Sequence, residues 1–359
     1  MAMPTISVTF TSAAQTAVAR SERGFVGLIV SDDGADPGAH ILRRPADIPA
    51  GLDPANRDYI DRAFIGYVNP PKLVTIFVMP TEQTSYVPAL DYFSTQNIDW
   101  LCGAPDISML QAQEIVLWVK ARREDKQLVK AVLPNVDADD EAIINFTALD
   151  IQVKTVSDIV TYSAAEYCSR IAGLLAGTPL RRSCTYAHLP EVLDVKRYTR
   201  SQLDNMVDAG QLVLFNDGKK VLVGRGVNSL TTVTEFKQKE WKKIKIVDAI
   251  DFMTNDIRTF CQDIYIGKYP NSYDSKCLLI SAVTNYFAGL ENLEVLSRGR
   301  TTVGIDIEAQ EAYLSAQGID TSELTADEIK QADTDSSVFI LASLGVLDAI
   351  EDITINITI

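Results

Sequence analysis

Zinc pairs, nucleotide loops and catalytic signatures are missing from this sequence. It has no CxxC pair, and its five cysteines, Cys102, Cys168, Cys184, Cys261 and Cys277, are odd in number and widely spaced. A disulfide framework or a zinc site is therefore not expected, and the cysteines read as small buried apolar residues. There are only two histidines, His40 and His188. Neither has a catalytic setting, because no G-x-S-x-G or HExxH accompanies them. His40 is expected to be solvated and His188 partly buried. Gly224-Arg225-Gly226 follows a strand-like run but lacks a third glycine and a GK[ST], so it reads as a turn. Asp137, Asp139, Asp140 and Glu141 lack EF-hand spacing and read as a solvated acidic turn. No catalytic residue, cofactor or metal is expected.

Positive charge is also scarce. Lys and Arg total 33 against 48 Asp and Glu, for a net charge of −15, which argues against nucleic acid as the main partner. No apolar run approaches the ~20 residues needed to span a bilayer, and the N-terminus lacks a basic-then-apolar signal pattern. Membrane insertion is not expected, and a reducing cytoplasm is. No internal repeat or low-complexity tract occurs.

What is present is strand alternation at both ends. Ile353, Ile355, Ile357 and Ile359 alternate with Thr354, Asn356 and Thr358. Ile6, Val8 and Phe10 alternate with Ser7, Thr9 and Thr11. A period of two places the apolar residues on one face of a half-buried strand. The ends either pair within their own domain or complete sheets in neighbouring copies. Hydrogen bonds at about 1 kcal/mol each and four buried isoleucines at about 1.5–3 kcal/mol each stand against ordering at about 1–2 kcal/mol per residue. The balance is a few kcal/mol per joint, enough for a lattice with several joints per subunit.

Between the ends, strands and helices alternate. Gly24 to Val30, Leu73 to Met79, Ile98 to Cys102, Leu128 to Leu133 and one or two runs in Ile143 to Val153 read as strands. Ser31 to Pro54, rich in Gly and Pro, reads as surface loop. Arg57 to Tyr67 and Val87 to Phe93 read as helices. Asp106 is expected to cap a helix to about Glu124, with Leu110, Ile115 and Val119 inward. Ser163 with Glu166, Thr199 with Gln202 and Thr325 with Glu328 have capping-box spacing, and Tyr162 and Tyr167 hold staple positions. Leu212 to Phe215 and Val221 to Val223 flank Asn216-Asp217-Gly218-Lys219 as a hairpin. One helical face carries Ile246, Ile250, Met253, Ile257, Phe260, Cys261 and Ile264. Ser275 to Leu296 and Glu308 to Ala316 are further helices, and Ser337 to Leu347 returns to strand. The expected architecture is an N-terminal α/β layered domain with a mainly parallel sheet (24–195) and a C-terminal α+β domain (196–350). Extended β-strand arms flank them at 1–23 and 351–359.

The one basic concentration is Lys237-Gln238-Lys239-Glu240-Trp241-Lys242-Lys243-Ile244-Lys245, with five lysines in nine residues. It reads either as a solvated helix start or as a contact for an acidic protein surface.

The run Val338-Phe339-Ile340-Leu341 and the later Leu347-Asp348-Ala349-Ile350-Glu351-Asp352-Ile353-Thr354-Ile355-Asn356-Ile357 resemble the close of contractile phage tail sheath proteins. The start, Ile6-Ser7-Val8-Thr9-Phe10 and Ala17 to Gly24, is similar to the same proteins in Gram-positive myophages and phage-tail-like bacteriocins. The resemblance spans essentially the whole chain; in the middle it rests on element order and length. It implies a virion structural protein, not an enzyme, that stacks as six-subunit rings around an inner tail tube protein. Its arms would add strands to a sheet in the C-terminal part of neighbouring copies and stay threaded during contraction. Further implied partners are baseplate and tail terminator proteins, with assembly in the host bacterial cytoplasm before residence in a phage tail or tail-like particle. A tube-facing charged helix is implied as well. Placed at Lys237 to Asp256 by charge, it makes Lys239, Lys242, Lys243 and Lys245 the candidate tube contacts. The alternatives are a non-contractile tube or shell assembled by arm exchange, and a soluble α/β enzyme.

Overall fold

The computed structural model describes residues 22–155, 158–235 and 237–358. Two compact units make up the described chain, one of residues 252–347 and one of residues 22–251 with the C-terminal stretch from 348.

The larger unit holds β1 (Phe25–Ser31), β2 (Gly38–Leu42), α1 (Pro54–Ala63), β3 (Leu73–Met79), α2 (Val87–Phe93), β4 (Trp100–Cys102), α3 (Met109–Glu124) and β5 (Lys130–Pro134). It continues through β6 (Ile143–Thr147), β7 (Ile151–Lys154), β8 (Ile159–Tyr162), α4 (Ala164–Ala176), β9 (Val192–Asp194), α5 (Arg200–Asp208), β10 (Gln211–Asn216) and β11 (Val221–Val223). The start of α6 (Ile244–Phe260) completes it. Eight strands form one sheet in the order β11-β10-β6-β5-β4-β1-β3-β2. All neighbours are parallel except β2 on β3 and β11 on β10, so antiparallel strands close both edges. The central strands are buried on both faces, as continuous apolar runs require. Along β1, Val26, Leu28 and Val30 face one core with Tyr59, Ile60 and Tyr167, while Ile29 faces the other with Phe93 and Ile115.

Local sequence sets the helix starts. The Ser163 and Thr199 hydroxyls accept the backbone N–H of Glu166 and Gln202, and those side chains return to the cap N–H, so both boxes form. The cap of α3 is Ser108 with Gln111, not Asp106. Ile115 and Val119 point inward, but Leu110 is exposed, because at about 3.6 residues per turn it lies on the face opposite Ala112, Ile115 and Val119, with Leu117. Ser31 to Pro54 is not all loop: β2 lies in it, with glycine and alanine on an edge where few side chains need burial. His40 sits on β2, with its Nε2 at 2.8 Å from the Asp36 carbonyl. His188 is exposed rather than partly buried, since it only bridges the outer edge at Leu222. Cys102, Cys168 and Cys184 are buried, whereas Cys261 and Cys277 are half-buried.

The domain boundary expected at residue 195 is not where the chain divides. The hairpin of β10 and β11 belongs to the main sheet, because β10 runs parallel to β6. A buried ionic cluster fixes the start of α6 to this body. Arg123 clamps Asp251 through two bonds of 2.8 and 2.9 Å, and the Lys130 ammonium lies 3.2 Å from both Asp248 and Asp251. Burial works to lower the Lys130 pKa, but Asp251, Asp248 and Asp99 together hold it above the ordinary lysine range.

The smaller unit contains the rest of α6, a π-turn at Cys261–Tyr265, α7 (Tyr273–Asn292), β12 (Thr302–Ile305), α8 (Ile307–Ala316), α9 (Ala326–Gln331) and β13 (Ile340–Ser343). Its buried residues include Met253, Phe260, Val283, Phe287, Leu290 and Leu314. The Thr325–Glu328 box forms at α9. Strands β12 and β13 pair antiparallel as a sheet of two.

Gly173 on α4 allows a close backbone approach to α1, since a Cβ there would lie 1.9 Å from the Ala63 carbonyl oxygen. Gly173→Ala is expected to cost about 1–3 kcal/mol or more, read as a lower denaturant midpoint with an unchanged slope.

Candidate functional site: the C-terminal arm and its root

Ile6, Val8 and Phe10 lie outside the described residues, and so does Ile359. Residues 353–358 join no β-ladder among the described residues. Ile353, Ile355 and Ile357 are 74%, 75% and 82% exposed. The alternation is intact, but its apolar face is mostly exposed. A strand needs a partner for its backbone groups, and none of the described strands supplies one.

The residues just before this stretch are held firmly. The Arg225 guanidinium reaches both Asp352 carboxylate oxygens at 2.6 and 2.7 Å. The Lys243 ammonium binds the Asp348 carboxylate. Glu351 has a nearly buried side chain, 6% exposed, and accepts the Thr185 hydroxyl at 2.5 Å and the Ser183 hydroxyl at 3.4 Å through Oε1. Its Oε2 has no hydrogen-bond partner among the described residues and lies 3.5 Å from Lys243 Nζ and 3.6 Å from Arg225 Nε. The Asp352 hydrogen bond raises the Arg225 pKa above its ordinary value. For Lys243, burial acts downward, but Asp348 and Glu351 outweigh it and the ammonium is held above the usual range.

Glycine geometry builds this socket. A Cβ on Gly224 would meet Val213 Cγ2 at 2.8 Å, and one on Gly226 would meet Cys184 Sγ at 2.8 Å and the Ser183 and Thr185 hydroxyls at 3.1 and 3.2 Å. The Gly226 N–H donates to Thr185 Oγ1 at 2.9 Å. The turn at Gly224-Arg225-Gly226 therefore serves the arm, because two glycines let the loop pack closely while Arg225 projects to the arm root. Beneath it the Cys184 thiol is pushed up to about 12 by burial, which makes it inert. Beside the root lies a cleft of about 370 Å3, lined by Tyr186, Arg200, Asp204, Phe215 and Asp352 among others. Its Arg200 and Asp204 neutralise each other at 3.0 Å.

The lysine stretch is largely engaged within the chain. Lys237 binds Glu141 at 2.6 Å, Lys242 donates to the Thr231 carbonyl at 2.5 Å, Lys243 holds the arm root and Lys245 is buried. Burial lowers the Lys245 pKa. Lys239 is exposed. The acidic turn is also structural: Asp139 accepts the N–H groups of Thr231 and Thr232 at 2.7 and 2.9 Å, and the Thr232 side chain together with these bonds holds its carboxyl well below the usual range. Sequence reasoning missed Arg225, Ser183 and Thr185. The paired glycines were their only signal.

Residues 83–229 match the phage tail sheath protein central domain, and residues 237–359 match the phage tail sheath C-terminal domain. A tail sheath protein of Clostridium phage phiCD119 is 36% identical over 357 residues, covering 98% of each chain. Among solved structures, the sheath tail protein of Desulfitobacterium hafniense aligns with a TM-score of 0.69 at 18% identity, over 84% of this chain and 94% of that one. The helical sheath of the anti-feeding prophage in its contracted state aligns with a TM-score of 0.71 at 15% identity, over 100% of this chain and 99% of that one. At these identities the structures show a shared fold.

Gly226→Ala is expected to push the Ser183 and Thr185 hydroxyls off Glu351 and cost about 1–3 kcal/mol. Amide hydrogen exchange over residues 345–352 should accelerate in this variant while β1 to β6 keep their protection.

Proposed function

The chain belongs to the phage tail sheath family, and on that premise we propose that it polymerises by donating its terminal arms as strands to neighbouring copies. It is a structural protein, not an enzyme. The carrying observation is the unpaired alternation of residues 353–358, exposed beyond a root fixed by ion pairs. An acceptor of matching kind is the sheet of β12 and β13. Among the described residues it has two strands only, so both outer edges are open, and Leu341 on β13 is 60% exposed. An open edge receives an extended segment through main-chain hydrogen bonds, with side chains fixing the register. One edge takes residues 353–359 of a neighbour, and the other takes Ile6, Val8 and Phe10 of a second neighbour.

The assembly is a helical stack of six-subunit rings around an inner tube protein, bounded by baseplate and tail terminator proteins and built in the host cytoplasm. Contraction moves the bodies while the arms stay paired, because rigid bodies can rotate about short linkers without breaking ladders. Within the lysine stretch, Lys239 suits a charged contact with the tube. Lys242, Lys243 and Lys245 are already engaged or buried.

Ile355→Asp places a charge on the donated apolar face. It should abolish tubular polymers in negative-stain images while far-UV circular dichroism and the melting temperature of the monomer stay unchanged. Normal tubes from this variant would refute arm exchange at this end. Deleting residues 1–12 should likewise leave a folded monomer that forms no ordered tubes. Contraction itself predicts two tube lengths and diameters in the images, where a static tube shows one.

A further inference from the structure

The arm and its root have opposite chemistry. Residues 353–359 carry no charged side chain, whereas Asp348, Glu351 and Asp352 stand within five residues. The root carboxylates meet Lys243 and Arg225, and Glu351 is the one carried inside, onto Thr185. A neutral arm joined to its acceptor by backbone bonds and isoleucine burial is nearly indifferent to salt. Ion pairs at the root are screened as the Debye length falls from about 10 Å at 0.1 M to about 3 Å at 1 M.

We propose that the socket of Ser183, Thr185, Arg225 and Lys243 is an electrostatic latch. It holds the root of the arm on its own body and so presents residues 353–359 as a preorganised donor strand. This rests on the arm-exchange reading and adds its regulation. A latched root fixes the exit direction of the arm and removes part of the conformational freedom that pairing would otherwise consume. It also keeps the donor strand within a small volume near its acceptor, which raises the effective concentration of each joint. A released root lets the arm swing through a far larger volume. Sheath growth then inherits its salt dependence from residues that never enter the joint.

The test uses the full chain with Glu351→Gln and Asp352→Asn together. Asp352→Asn alone serves as a second variant: that side chain is 80% exposed, so its loss cannot unfold the body. Asp352→Glu is the conservative control. A nitroxide on Thr358→Cys, with Cys261 and Cys277 changed to Ser, reports arm mobility in the monomer, and light scattering follows polymerisation from about 0.05 to 0.5 M sodium chloride. The double variant should give a sharper, more mobile nitroxide spectrum. It should also polymerise about tenfold more slowly at low salt, with a flattened salt dependence; the single variant should lie between, and Asp352→Glu should match the natural chain. An unchanged nitroxide spectrum overturns the latch, and so does a mobile arm that polymerises at the natural rate and salt dependence. Ile355→Asp separates the two readings, because normal polymerisation by that variant removes arm exchange itself, whatever the root does.

Discussion

A lone strand has nowhere to put its hydrogen bonds. Ile353 to Thr358 alternates cleanly and is free of proline, glycine and charge, yet its isoleucines face solvent. Natural proteins usually blunt exposed strands with lysine, proline or bulges, because an open ladder invites pairing. Here no such device is present between Ile353 and Thr358, and in the proposed assembly this open ladder is what a neighbouring copy pairs with. The same constraint explains the two-stranded sheet of β12 and β13, which is marginal by itself and gains from each strand added to an open edge. In the proposed assembly, donor and acceptor are each incomplete and their pairing satisfies both.

The large sheet uses a strand order that, in many proteins, opens a ligand crevice where the direction of winding reverses beside β1. In this chain the groups at that point are spent on structure. The Asp32 carboxylate accepts the N–H of Gly34 and Asp53 at 2.8 Å and the Asn56 amide at 2.9 Å. The Tyr59 hydroxyl donates to the Gly103 carbonyl at 2.7 Å, and the Tyr86 hydroxyl accepts the Ala104 N–H at 3.0 Å. Both rings are fully buried.

Elements specified by short-range chemistry were legible in the sequence. The boxes at Ser163, Thr199 and Thr325 need only three residues of spacing, and Leu73 to Met79 is apolar enough to demand cover on both faces. Strand β2 was not legible, because Gly38, Ala39 and His40 derive their strand character from β3 alongside. The C-terminal alternation is legible in the sequence without tertiary context, but residues 353–358 join no ladder among the described residues, so the strand itself belongs to the proposed assembly. The arm root was not legible: Arg225 reads as one charge in a turn until the fold brings it, 127 residues away in sequence, against Asp352. The lysine stretch misled for the same reason. Charge density is visible in a sequence, but the acceptors that consume it, Glu141, Thr231 and Asp348, lie elsewhere in the chain.

The two arm roots converge on one helix. Arg23, which follows the N-terminal arm, binds Asp248 on α6 and the Thr178 carbonyl, while Lys243, at the entry to α6, binds Asp348 before the C-terminal arm. The Asp352 end of the Arg225 pair is exposed, and exposed ion pairs contribute only about 0–1 kcal/mol each, whereas the Arg23–Asp248 pair is largely buried. A hydrogen bond to a nearly buried charge, such as Thr185 to Glu351, contributes about 1.5–3 kcal/mol. Removing one partner of the Arg123, Lys130 and Asp251 cluster leaves a buried charge uncompensated, at a cost of about 3–5 kcal/mol. The hierarchy runs from releasable contacts at the arm roots to costly ones where α6 meets β5 and α3. In the proposed mesh, load entering by the N-terminal arm reaches α6 through Arg23 and Asp248, whereas load from the C-terminal arm meets Arg225 and Thr185 before Lys243. On that reading the root contacts yield before the Arg123–Asp251 and Lys130–Asp251 pairs that hold the start of α6.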